Sequence, residues 1–196
     1  QLNGSYEILR IHEYLEEKLT LLREEIFKES ILSGDYKSFF ALMEKKLLID
    51  AYLKLINEIS LEQKYDIFTD VYIRSEYGFD KFSIEFLKDL FRFRLNSKDW
   101  ERRLEKLNNK YSEQSSLVIY RGVTDQSNSL EQSFSWTLNI EVAEFFAKRF
   151  DSKGKVYRAR VNLLDVIDYF EYRNEAEVLV LPESVKEIRI YRDFQI

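Results

Sequence analysis

The chain is expected to fold as an α+β protein, with helices first and a strand-rich half after them. Three observations carry that expectation. Apolar residues recur every three or four positions up to about residue 112, whereas short β-branched or aromatic runs separated by polar turns follow. A single proline, Pro182, leaves the first half free to form uninterrupted helices. With 196 residues, of which 15% are aromatic, the chain can bury one sizeable core, which argues against disorder.

In the first segment Ile8, Ile11, Leu15, Leu19, Leu22 and Ile26 keep helical spacing with Glu and Lys between them. Gly34 sits where a helix C-cap belongs, and Asp35 offers the next N-cap. A second stripe runs through Phe40, Met43, Leu47, Ala51, Leu55 and Ile59, and a third helix over Leu61–Glu76 stops near Gly78. Ser83–Leu95 and Ser97–Tyr111 complete the set, the last with Ser97 as its N-cap. Strands are expected at Leu117–Tyr120, Lys155–Val161, Ala176–Leu181 and Glu187–Tyr191, with one helix between them at Ile140–Phe150. This order divides the chain into a helical part, 1–112, and a strand-rich part, 113–196, with the helices packed on the sheet as one unit.

Composition removes many chemistries. Zero Cys excludes disulfides, thiol nucleophiles and thiolate metal sites. One His, His12, excludes metalloprotease motifs and the usual Ser-His-Asp machinery; placed on the first helix beside the apolar stripe, it reads as structural. Five scattered glycines leave no Walker loop and no GxGxxG turn. No apolar run approaches the roughly 18 residues of a membrane span. Gln1–Tyr6 do not read as a secretory signal, and a chain without Cys suits a reducing cytoplasm. Asp165 and Asp168 lack partners at metal spacing and read as turn residues. The net charge is −5, yet Lys88–Lys110 carries eight basic residues against four acids. That stretch reads first as a solvated helix face and second as a phosphate-attracting patch.

What remains is chemistry by Arg, hydroxyls and carboxylates. In Leu117–Gly122 an apolar strand ends in Tyr120-Arg121-Gly122; the Arg offers a rigid fork of donors for phosphate or carboxylate, and the glycine would admit a ligand. In Ser133–Thr137, alternation puts Ser133, Ser135 and Thr137 on one face and Phe134 and Trp136 on the other. Thr137 also reads as an N-cap for the helix after it. In Glu175–Leu181 the same alternation puts Glu175 and Glu177 together at the head of an apolar strand, where mutual repulsion marks a functional pair. Such carboxylates can stabilise a developing cation and act as a base. Of the nearby aromatics, Tyr120, Phe134, Trp136, Tyr169, Phe170 and Tyr172, most read as core; Tyr172, in the polar turn before Glu175, is the best candidate for a contact.

In order and spacing, Tyr120-Arg121-Gly122, Ser135-Trp136-Thr137 followed by a helix, and Glu175-Ala176-Glu177 resemble the R-S-E class of mono-ADP-ribosyltransferases, which includes bacterial ADP-ribosylating toxins. The resemblance spans about residues 117–181 and departs at Trp136-Thr137, where many members carry Thr-Ser. It implies a split mixed β-sheet behind N-terminal helices, NAD as substrate and no metal. It assigns NAD contacts to Arg121, Gly122, Ser135, Thr137, Tyr120 and Glu177, and catalysis to Glu177, Glu175, Arg121 and Ser135. Tyr172 and Glu175 would face the acceptor. A Glu at position 175 is typical of arginine modification, and the Lys88–Lys110 stretch keeps an RNA or DNA base in consideration. The resemblance further implies a bacterial intracellular toxin or effector, with an antitoxin as a possible partner. Alternatives are an NAD glycohydrolase using the same site, and a non-enzymatic helical partner-binding module.

Overall fold

The computed structural model describes residue 18 and residues 20–76, 78–149 and 154–194. Ile8, Ile11, Leu15 and Leu19 of the first predicted stripe, and His12 beside it, lie outside them. The chain divides into two compact units, Gln1–Gly78 and Phe79–Ile196. That boundary precedes the expected one at 112, because the last two helices before the sheet belong to the sheet's unit.

In the first unit, helix α1 over 20–33 ends as expected at Gly34, whose φ of +72° is the left-handed conformation of a C-terminal glycine. Asp35 then caps α2 (Tyr36–Ala41) by accepting from the Ser38 amide. The expected long second helix is broken: α2 is followed by a 3₁₀ turn, Lys45–Leu47, and by α3 (Leu48–Leu55). The break has a visible cause. Arg74, at the end of α4 (Lys64–Arg74), donates to the carbonyls of Phe40, Ala41 and Met43 at 2.9, 3.3 and 3.2 Å. Those carbonyls would otherwise continue the helical ladder. Rings of Phe27, Phe39, Phe40, Tyr52 and Phe68 then form a chain of edge and tilted contacts through this unit's core. Tyr52 is fully buried and donates to Lys64 O at 2.9 Å; burial pushes its phenol far above the ordinary range.

The second unit opens with α5 (Ile84–Phe91), capped by Ser83 and passing into a 3₁₀ turn, Arg92–Asn96, earlier than expected. Helix α6 (Lys98–Lys110) follows, and Ser97 caps it as the sequence indicates. Strands β1 (Ser116–Val123), β2 (Ser135–Thr137), β3 (Lys155–Asn162), β4 (Val166–Phe170), β5 (Glu177–Val180) and β6 (Lys186–Asp193) form one sheet in the order β4-β5-β2-β1-β3-β6. Every pairing is antiparallel, which corrects the expected mixed sheet. The sheet is nonetheless thin at one place: β1 and β2 pair through Tyr120↔Thr137 alone.

One face of the sheet carries the main core, with Leu117, Ile119, Trp136, Ala159, Val161 and Val178 buried against Leu107 of α6. The strand β4 is absent from the sequence reading, and Asp168 is not a turn residue. It is fully buried in mid-strand, where the Arg103 guanidinium grips both its oxygens at 2.8 and 2.6 Å. Trp100 donates to Ile167 O at 2.6 Å beside it, so α6 covers what would be an open sheet edge. Tyr169 and Phe170 are core residues of the same strand.

These contacts settle how the basic stretch is arranged. Arg103 is held by Asp168, and Lys88, Arg92, Arg102 and Lys110 pair with Glu183, Asp89, Asp99 and Glu171. Lys110 also donates to the Tyr169 hydroxyl at 3.3 Å, and burial pushes that phenol up to about 12. Arg103→Ala is expected to lower the unfolding free energy by about 3–5 kcal/mol in urea titrations, because it strands a buried carboxylate. Arg102→Ala removes an exposed pair and is expected to change it by less than about 1 kcal/mol.

Candidate active site

The three motif segments converge at the narrow place in the sheet. Strand β2 lies between β1 and β5, with Thr137 opposite Tyr120 on one side and Glu177 on the other. Phe134 and Trp136 are almost wholly buried and anchor this short strand, as the alternation suggests. Ser135 is partly buried, and its hydroxyl donates to the Glu177 carboxylate in a very short contact. Arg121 Nη1 donates to the main-chain carbonyl of Ser135 at 2.5 Å. Arg121, Ser135 and Glu177 therefore form one hydrogen-bonded group.

The other hydroxyls of that segment have different tasks. Ser133 precedes the strand, is buried, and donates to Ser129 O at 2.7 Å. Thr137 is also buried; its hydroxyl donates to Glu175 O at 2.5 Å and accepts from the Asn139 amide at 2.9 Å. The N-cap of helix α7 (Ile140–Ala147) is Asn139, whose side chain accepts from the Glu141 amide. Thr137 is thus a backbone tie and not the cap.

Glu175 and Glu177 do not share a strand face. β5 begins at Glu177, while Glu175 closes a 3₁₀ turn, Tyr172–Asn174, with φ −78° and ψ −17°. Between them Ala176 has φ +44°, and Asn174 just before has φ +59°. A left-handed alanine costs about 1–2 kcal/mol, so the surroundings must impose it. They do: Leu138 donates to Ala176 O at 2.9 Å beside the Thr137 bond to Glu175 O. This turn lifts Glu175 out of the sheet, next to Tyr172, which is 57% exposed.

Glu175 lines a cleft of about 330 Å³ together with Asn174 and, from the start of α7, Asn139, Glu141, Val142, Phe145 and Phe146. Of these only Glu175 is a site residue by its sequence pattern; Val142, Phe145 and Phe146 read there as a helical stripe. The one signal was the adjacent pair Phe145-Phe146, since neighbours on a helix cannot both face the sheet; Phe145 is 63% exposed.

Gly122 is not open to a ligand. A Cβ there would lie 2.0 Å from Ala143 O and 2.6 Å from Ala147 N, so the space is filled by the backbone of α7. Gly154 on β3's approach is crowded likewise, 2.3 Å from Val123 O and 2.5 Å from Ala147 O. With Ala143 and Ala147 fully buried, small residues on both sides let the helix lie directly on β1. Tyr120 packs at the edge of this contact.

Among the described residues no group of three or more His, Asp or Glu side chains is placed to hold a metal ion, and no helix is long and apolar enough to cross a membrane. No family model matches the chain, and no curated protein or solved structure matches it.

Gly122→Ala is expected to destabilise the second unit by about 1–3 kcal/mol through overpacking, read as a lowered urea midpoint. Ala176→Gly, which removes a left-handed Cβ, should leave that midpoint unchanged or raised.

Proposed function

We propose that the chain is an R-S-E mono-ADP-ribosyltransferase, moving ADP-ribose from NAD to a macromolecular acceptor. The observation that carries this reading is the hydrogen-bonded group of Arg121, Ser135 and Glu177. Three residues separated by up to 56 positions meet through one short strand, in the motif's order.

In this reading the bond between nicotinamide and ribose C1′ breaks, and its electron pair leaves with nicotinamide. Positive charge then grows on the ribose. Glu177 is the group to stabilise it, and its carboxylate accepts from a ribose hydroxyl at the same time. Ser135 holds that carboxylate in place. Arg121 supplies donors for the pyrophosphate, its guanidinium braced on Ser135 O. A nucleophilic nitrogen of the acceptor, an arginine or a nucleic-acid base, attacks C1′, and Glu175 receives its proton. Glu175 suits that task by position, in the cleft lining rather than on the strand. The setting as a bacterial toxin or effector held by an antitoxin belongs to the same reading.

A non-enzymatic, partner-binding role has one observation in its favour: α1 exposes Leu21, Leu22, Ile31 and Leu32. Nicotinamide release separates the two. The purified chain with NAD should release nicotinamide, and Glu177→Ala should lose at least about 100-fold in rate. Glu175→Ala should keep slow release to water while losing transfer. No release by the wild type, or full activity in Glu177→Ala, overturns the reading; release with no acceptor labelled in a lysate makes the chain a glycohydrolase.

A further inference from the structure

The pairing of β3 with β6 sets like charges against each other. Arg158 lies opposite Arg189, and Arg160 opposite Lys186. On the other side of β3, Arg158 faces Tyr120 and Arg160 faces Val118 of β1. Cross-strand partners share a face, so two rows run across three strands, Tyr120–Arg158–Arg189 and Val118–Arg160–Lys186. Like charges directly opposite destabilise a sheet, and a bound anion would relieve that repulsion.

The local charge is not cancelled from within. Strands β3 and β6 carry six cationic side chains against two carboxylates, a net of +4 in a chain of net −5. The carboxylates are already engaged: Asp193 with Lys155 and Glu187 with Arg160, both at 3.2 Å. Glu144 of α7 takes Arg192. Lys186 donates to a main-chain carbonyl, that of Glu183, at 2.6 Å. Among the described residues Arg158 and Arg189 have no carboxylate within ion-pair distance. In the Lys88–Lys110 stretch five of the eight cations are matched to acids.

The chemistry of the face selects its occupant. Residues Lys186–Arg192 of β6 are exposed throughout. Tyr191, 45% exposed, meets the Tyr120 ring edge-on at 5.7 Å. Guanidinium forks match phosphates bidentately, and aromatic rings set among cations stack bases without demanding a sequence. We propose that this face of β3 and β6 docks single-stranded nucleic acid, with Arg158 and Arg189 on phosphates and Tyr191 beneath a base. Its first row continues from Tyr120 through Thr137 to Glu177 across β2 and β5, so a docked strand runs toward the candidate site.

The test is fluorescence anisotropy with the full chain and a labelled 20-nucleotide RNA or DNA, titrated between 50 and 200 mM salt. Wild type should bind at 50 mM and weaken steeply with salt. The double variant Arg158→Glu/Arg189→Glu should bind at least tenfold more weakly, with a log–log salt slope reduced by about two. Arg102→Glu on α6 should bind as wild type does. Should the reversal fail to fold, Arg158→Gln/Arg189→Gln serves instead; it relieves a repulsive pair, so its Tm should equal or exceed that of wild type while binding still falls. No binding at 50 mM, equal affinity in the double variants, or binding only to phosphatidylserine vesicles overturns the proposal. Binding by a chain that releases no nicotinamide supports this surface and removes only the transferase reading.

Discussion

The narrow place in the sheet is held at Thr137. It is the only position at which β1 and β2 pair, and it sits opposite Glu177 of β5 in the same row. Its hydroxyl joins the backbone on both flanks, accepting from the Asn139 amide that leads into α7 and donating to Glu175 O. A single buried threonine therefore sits where two halves of the sheet pair, ties down the segment that leads into α7 and holds the turn that carries Glu175. Buried polar groups are costly unless satisfied, and this one is satisfied twice. The hydrogen-bonded group of Arg121, Ser135 and Glu177 forms immediately beside it because the same short strand supplies Ser135.

Around that point the fold is made tight by small residues and ionic clamps. The backbone of α7 rests on β1 because Gly122 and Gly154 lack side chains and Ala143 and Ala147 barely have them. On the far edge, α6 is fastened to β4 by the Arg103–Asp168 pair and the Trp100 bond to Ile167 O. Five of the eight cations in Lys88–Lys110 are tied to acids, whereas on β3 and β6 Arg158 and Arg189 face each other with no carboxylate in ion-pair distance among the described residues. The net charge of −5 conceals this contrast.

Local signals were legible in the sequence and remote ones were not. Gly34, Asp35 and Ser97 act within three or four residues, so their capping roles follow directly from the order of residue types. The break after α2 depends on Arg74, more than thirty positions away, and no local pattern announces it. Strand β4 stayed hidden because Asp168 suggests a turn until its partner, 65 residues earlier, is known. The motif order Arg121, Ser135, Glu177 could be read, and so could the anchoring role of Phe134 and Trp136. That Glu175 leaves the strand could not, since alternation assumes extended backbone and Ala176 is left-handed. The role of Gly122 is illegible for a related reason: an absent side chain does not say whether a ligand or a helix fills its place.

In the proposed transferase reading Glu177, held by Ser135, drives transfer of ADP-ribose to a macromolecule. The most direct measurement incubates the chain with NAD labelled in its adenine ring and whole-cell extract, then digests separate portions with protease and nuclease. The account predicts label in the macromolecular fraction with wild type and none with Glu177→Ala, and the digestion that releases it identifies the acceptor. Macromolecular label that is equal for both chains, or absent with wild type, contradicts it.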